Sequence, residues 1–357
     1  MFAEIEELWK PIPEENYADI LELVALRAKA NYEEIISWQG QMNILEISHH
    51  YGAVASKLRM IDTKSLKNES QHICVTSKTI ANFSVDMQNN KLYSYTEPSI
   101  PQYKAVDLDQ NVPMAKGIRV NKVKTILTQE IWMNYEPDSK YASKGRERIP
   151  EKTVFIDKPQ EIKGGLNGEI RDPRIFFESG GEKKKLWETL MQIREVYLQK
   201  GNVRIMNFPH IEIFVMETQN GKQYRIISTW KGGENYTIKY IRTVIEVAEN
   251  VGFNAIQVEV ISPDGIKLTS KQYTYEDFNG IYIPKIIREI QLNSKGETKI
   301  SSEISIENQR VNSIIPDDTF SVKNLALEED TLVIDKVEKA EFRYKKGNLV
   351  PIEEPNK

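Results

Sequence analysis

Chemistry in this chain would have to come from its histidines, its one cysteine, a glycine-rich stretch or its carboxylates. The four histidines are His49, His50, His72 and His210. His49 and His50 are adjacent in a strand-like run, so their side chains point to opposite faces and a shared metal is disfavoured. No HExxH or comparable ligand pair occurs. Gly164-Gly165-Leu166-Asn167-Gly168 is followed by no Lys-Ser/Thr and opens no helix after a buried strand, so it reads as a turn rather than a phosphate cradle. Cys74 sits in the apolar run Ile73-Cys74-Val75, without a nucleophile motif around it, and reads as a buried thiol. Asp317-Asp318 and Glu328-Glu329-Asp330 read as solvated turn acids, with calcium ligation as the alternative. The expectation is no catalytic residue, no metal and no cofactor, with a hydrolase using two carboxylates that converge in a cleft as the alternative.

The aromatics are more suggestive. Trp38, Phe83, Tyr93, Tyr95, Phe214, Tyr224, Trp230, Tyr240, Tyr273, Tyr275 and Tyr282 fall on candidate strands or at their edges. Strand aromatics fill cores, but a concave sheet lined with them is also a hydrophobic ligand cavity. The candidate ligand-binding residues are Trp38, Phe83, Phe214, Tyr224, Trp230, Tyr273 and Tyr275. Alternation constrains them. Tyr273 and Tyr275 must share one face, with Thr274 on the other, and Phe214 shares its face with Glu212 and Met216.

The elements that position these residues are legible. Leu21, Val24, Ala25, Ala28, Tyr32, Ile35 and Ile36 recur at helical spacing, with Asn16 and Asp19 as a capping pair and Gly40 as the break. Strands follow at Gln41–Ser48 and Thr79–Met87, the latter turning at Gln88-Asn89-Asn90 into Lys91–Thr96. Residues 97–116 and 134–152 read as long loops. Asp172-Pro173 reads as the start of a short helix ending at Gly180-Gly181, and a longer helix spans roughly Glu182–Gln199. From Val203 to about Asn312 the pattern is a meander of strands whose short connections carry glycine or asparagine, which joins antiparallel neighbours. The fold class is therefore α+β: a large curved antiparallel sheet with helices packed in or over its concave face.

Composition narrows the functional classes. The chain has 357 residues, 40% of them hydrophobic and 28% charged, enough for a core with a soluble surface. Its net charge of −4, from 48 basic and 52 acidic residues, comes without a basic block and excludes a nucleic-acid partner. No apolar run is long enough for a transmembrane helix. Met1–Glu7 has neither a basic nor an apolar signal region, so the expectation is a cytoplasmic protein or an exported one whose signal has been trimmed. Residues 1–16 read as a lead-in segment, 17–345 as a single domain with insertions and 346–357 as a polar tail.

Several junctions resemble those of the LolA-like superfamily, the bacterial periplasmic lipoprotein carriers and their relatives. They are Asn31-Tyr32-Glu33-Glu34-Ile35-Ile36-Ser37-Trp38-Gln39-Gly40, Phe83-Ser84-Val85-Asp86, Gly252-Phe253, Phe278-Asn279-Gly280-Ile281-Tyr282-Ile283-Pro284 and Asn312-Ser313-Ile314-Ile315-Pro316-Asp317-Asp318-Thr319-Phe320. The resemblance implies an unclosed antiparallel β-barrel with helices as a lid and an apolar cavity for acyl chains, without enzymatic activity or a metal. This chain is longer than a typical carrier, and Arg59 lies in the region where the carriers place a functional arginine. Two partners follow as expectations. One is a lipid or lipidated protein held in the half-barrel, as in a periplasmic carrier. The alternative is a protein partner bound by an envelope sensor or scaffold with a filled core.

Overall fold

In a computed structural model, residues 8–52, 72–112, 122–135, 153–157, 175–179, 182–199, 210–231 and 240–352 are described. Two helices, α1 (Tyr17–Glu33) and α2 (Leu186–Leu198), accompany twenty-one strands among them. The first eleven strands are β1 (Lys10–Pro11), β2 (Ser37–Tyr51), β3 (His72–Asp86), β4 (Lys91–Pro98), β5 (Gln102–Ala105), β6 (Gln110–Val112), β7 (Val123–Leu127), β8 (Trp132–Tyr135), β9 (Thr153–Asp157), β10 (Ile175–Ser179) and β11 (Glu182–Lys185). The rest are β12 (His210–Thr218), β13 (Gly221–Lys231), β14 (Tyr240–Ala248), β15 (Asn254–Ile261), β16 (Lys267–Phe278), β17 (Ile281–Leu292), β18 (Thr298–Val311), β19 (Leu332–Asp335), β20 (Ala340–Lys345) and β21 (Asn348–Pro351). The chain forms two compact units, one of Met1–Glu34, Glu46–His49 and Arg171–Ser305, the other of Ile35–Leu45, His50–Ile170 and Ile306–Lys357.

The first unit is built on a meander. From β12 to β18 each strand pairs antiparallel with the next, as the short polar connections require. The α+β expectation is borne out. Helix α1 buries Leu21, Val24, Ala28 and Tyr32, the stripe read from the sequence. It pairs with α2 through Arg194, whose guanidinium lies 2.6 Å from Glu22 and donates to the Ala18 carbonyl.

One residue fastens α1 to the sheet. The Asn31 side chain donates to the Tyr282 carbonyl at 3.1 Å and accepts from the Tyr282 amide at 2.8 Å. Asparagine alone among short side chains offers a donor and an acceptor in the spacing of a strand partner. Gly252, left-handed at φ +68°, makes room, since a Cβ there would lie 2.9 Å from Asn31 Oδ1.

The second unit has its own junction and cores. The Asn312 side chain accepts from the Ile36 amide at 2.7 Å, and Ser37 Oγ donates to the Ser313 carbonyl at 2.6 Å. One core gathers Ile126, Met133, Tyr135, Val154, Phe320, Leu325 and Val333, and a smaller one Ile73, Tyr103, Ala105 and Val112. Here β9 pairs in parallel with β19, while its other neighbour, β8, is antiparallel.

Several local expectations are corrected. Asn16 occupies the cap position without a side-chain cap bond, because a 3-10 turn at Glu14–Asn16 leads into the helix and its backbone is already helical. Gly40 does not break the chain but lies inside β2. Its missing Cβ would sit 3.1 Å from the Phe83 ring and 3.2 Å from the Glu307 carbonyl, so close packing selects it. The loop expected over 97–116 contains β5 and β6, with Pro98 and Pro101 at strand ends where the lost donor is tolerated. The short helix expected before Gly180 is the strand β10, hairpinned to β11, and the second helix starts at Leu186. Asp172-Pro173, Arg59, Gly164–Gly168 and most of 134–152 lie outside the described residues.

Two glycines separate backbone strain from crowding. Gly265, at φ +79°, has nothing within 4 Å of a built Cβ. Gly265→Ala should therefore cost about 1 kcal/mol for the left-handed conformation alone. Gly252→Ala adds the collision with Asn31 and should cost about 2–4 kcal/mol. Urea denaturation of both variants checks this, and equal losses would remove the Asn31 contact as a structural determinant.

Candidate functional site

Register defines the two faces of the meander. Ile213, Ile226, Ile245, Val258, Lys271, Glu289 and Ser302 are successive cross-strand partners from β12 to β18 and so share one face. The first four are buried aliphatics. Tyr224 and Trp230 alternate with Ile226 onto the same face, as Tyr273 does with Lys271.

Helix side chains meet this face through aromatics. The Tyr275 ring stacks on Tyr273, its i, i+2 neighbour on the same face of β16, with centroids 6.5 Å apart. The Tyr275 hydroxyl donates to the Ala255 carbonyl at 2.6 Å and interacts with the Tyr32 hydroxyl of α1. Tyr32 in turn lies 5.4 Å from the Trp187 ring of α2. Tyr224 stacks on Phe253 at 6.3 Å. Toward the other end of the same face, Trp230, Ile241 and Val260 are only half-buried.

The candidate residues therefore separate. Tyr224, Trp230, Tyr273 and Tyr275 share the helix-side face. Phe214 pairs with Arg225 on the opposite face, where Arg225 bonds Glu246 at 2.8 Å and stacks over Trp9 at 4.3 Å. Trp38 and Phe83 belong to the second unit and pack edge to face, 4.3 Å apart, with the Trp38 indole donating to Gln309 at 3.0 Å. A shallow hollow of about 200 Å³ around Gln257, Gln272, Thr274 and Arg288 is smaller than the ~300 Å³ at which small-molecule sites begin.

Other chemistry-bearing groups are placed as follows. Cys74 Sγ lies 3.6 Å from His72 Nε2, and burial raises the thiol above its usual pKa. Burial lowers the His50 pKa. Sequence reasoning passed over Tyr32, Trp187, Lys271 and Glu289. The last two are charged strand residues like many others, and only their cross-strand partners reveal that they continue an apolar row. Glu289 is buried, 3.2 Å from Lys271 Nζ, and accepts from the Gln291 amide at 2.7 Å.

No protein-family model matches the sequence, and no curated protein matches it. Solved structures match over most of its length. A domain from Vibrio parahaemolyticus assigned to outer membrane lipoprotein sorting is 10% identical, over 86% of this chain and 98% of its own, with a TM-score of 0.35. A DUF1329 family protein from Desulfovibrio piger is 9% identical, over 87% and 99%, with a TM-score of 0.35. A LolA superfamily protein from Nitrosomonas europaea is 10% identical, over 84% and 98%, with a TM-score of 0.32. The third carries the superfamily name that the sequence junctions suggested. Scores this low leave the fold to be read from the chain's own strands.

The aromatic cluster has a pH signature. Burial, with the Tyr32 and Tyr273 hydroxyls as smaller contributions, holds the Tyr275 pKa well above the usual tyrosine value near 10. The unfolded chain then ionises this group first. Its stabilising contribution is complete below about pH 10 and falls by about 1.4 kcal/mol per pH unit above it. Tyr93, Tyr103 and Tyr224 are raised in the same direction. Tyr275→Phe should therefore flatten, without abolishing, the loss of denaturation midpoint between about pH 10 and 11.5. An unchanged slope would mean that the hydroxyl is solvated.

Proposed function

We propose that this protein is a non-enzymatic cell-envelope protein that holds a lipid, an acyl chain or a lipidated partner on the helix-side face of the meander. The observation that carries the reading is the graded burial of that face. It is buried at Tyr224, Ile226 and Ile245, and still half-exposed at Trp230, Ile241 and Val260. Apolar area left open beside a buried wall gains from covering by an acyl chain, at ~25 cal/mol per Å² before ordering costs. The superfamily resemblance at the sequence junctions supports the same class of ligand and an extracytoplasmic location. Trp38 and Phe83, packed on one another in the second unit, would then contribute support rather than ligand contact.

A second reading has an observation of its own. Leu23 and Leu26 are exposed on the outer side of α1, at 38% and 54% of their surface. A scaffold with a filled core would present such a surface to a protein partner.

A fluorescent acyl-chain analogue with an uncharged head separates the two. It should bind, and Trp230→Ala or Tyr275→Ala should weaken it by about 1–2 kcal/mol, roughly five- to thirtyfold, without unfolding the protein. Native mass spectrometry after gentle purification should find acyl ligands co-purifying. Failure of both measurements would replace the carrier reading with the scaffold.

A further inference from the structure

The row Ile213, Ile226, Ile245, Val258 changes character at β16, where its next members are Lys271, Glu289 and Ser302. The change is abrupt, and the charged pair is not at the surface. The Glu289 side chain is 7% exposed and that of Lys271 21%. The rows on either side keep apolar members beyond β15, with Tyr273 followed by Ile287 and Ile304 on one side and Gln291 followed by Ile300 on the other. This one row is thus apolar over β12–β15 and polar over β16–β18, and the charged pair sits between apolar neighbours of the same face.

An ion pair in this position is not explained by stability. Desolvating two charges costs about as much as their attraction returns, and apolar residues of the same volume serve a core as well or better. We propose that Lys271 and Glu289 form the head-group subsite of the ligand face, and that the subsite selects amphiphiles whose head carries no net charge. The inference rests on the apolar-ligand reading above and names the head that such a ligand would carry.

The selection follows from geometry. Lys271 Nζ and the Glu289 carboxylate are 3.2 Å apart, so the subsite is neutral as a whole. A fatty-acid carboxylate drawn to Lys271 must approach Glu289 as well, and like charges at that range in a partly dry site repel strongly. A glyceryl ester or an amide-linked acyl group meets no such penalty. Its carbonyl accepts from the ammonium, which has three donors, and its hydroxyl or amide donates to the carboxylate.

The test uses displacement of N-phenyl-1-naphthylamine, an uncharged apolar probe, by monopalmitoylglycerol and by palmitate. The full chain should prefer monopalmitoylglycerol. Glu289→Gln leaves the lysine charge uncompensated and should shift the ratio of the two affinities toward palmitate by about tenfold. Should that variant not fold, Lys271→Met with Glu289→Met replaces the pair by apolar volume and should erase the preference while retaining probe binding. Both lipids binding with an unchanged ratio in the variants would overturn the head-group assignment and leave the apolar-ligand reading standing. A probe that does not bind the unaltered protein would overturn both.

Discussion

Asn31 sits at the end of α1 and closes two hydrogen bonds on the backbone of Tyr282, so the helix is joined to β17 as if by one residue of an added strand. The contact depends on the absence of a side chain at Gly252, whose Cβ would occupy its space. Once Asn31 is fixed, the next residue, Tyr32, has its direction set, and through it the meeting of α1, α2 and Tyr275 over the sheet. A buried amide that loses its partners costs the desolvation of both its groups, so the helix cannot slide by a residue without penalty. The aromatic wall of the candidate face follows from this registration rather than from the rings themselves.

The same unit handles charge by local cancellation. Arg225 is matched by Glu246, Lys267 by Glu259 and Lys271 by Glu289, each across a strand pair or within one hairpin. Pairs of this kind are balanced within the sheet and leave little long-range field. That suits a face offered to an uncharged ligand better than one that attracts a charged polymer, in keeping with the chain's small net charge of −4.

Much of the meander was legible because its signals are local. Turn residues such as Asn279-Gly280 announce themselves, and the strand Ile281–Leu292 begins directly after them. The α1 stripe was legible for the same reason, since Leu21, Val24, Ala28 and Tyr32 lie on one face of a single helix. What escaped depends on partners remote in sequence. The strand containing Gly40 looks interrupted until Phe83 and the Glu307 carbonyl are brought against it. Lys271 and Glu289 look like solvent-facing strand charges until register aligns them with Val258. Phe214 looks like a companion of Tyr224, yet pairing with Arg225 turns it to the opposite face.

The parallel pairing of β9 with β19 has a consequence for how the chain is made. Nearly half of the polypeptide lies between Asp157 and Leu332, so β9 leaves the ribosome long before its second neighbour exists. Until then it can pair only with β8, and its other edge offers open backbone groups to any extended chain nearby. Contacts of such long sequence separation form slowly, because the intervening loop must be closed first. Completion of this unit is thereby deferred until Leu332 and its neighbours have been made, and a nascent chain stalled before Leu332 would carry a strand edge that only an outside partner, such as a chaperone or another copy, could cover.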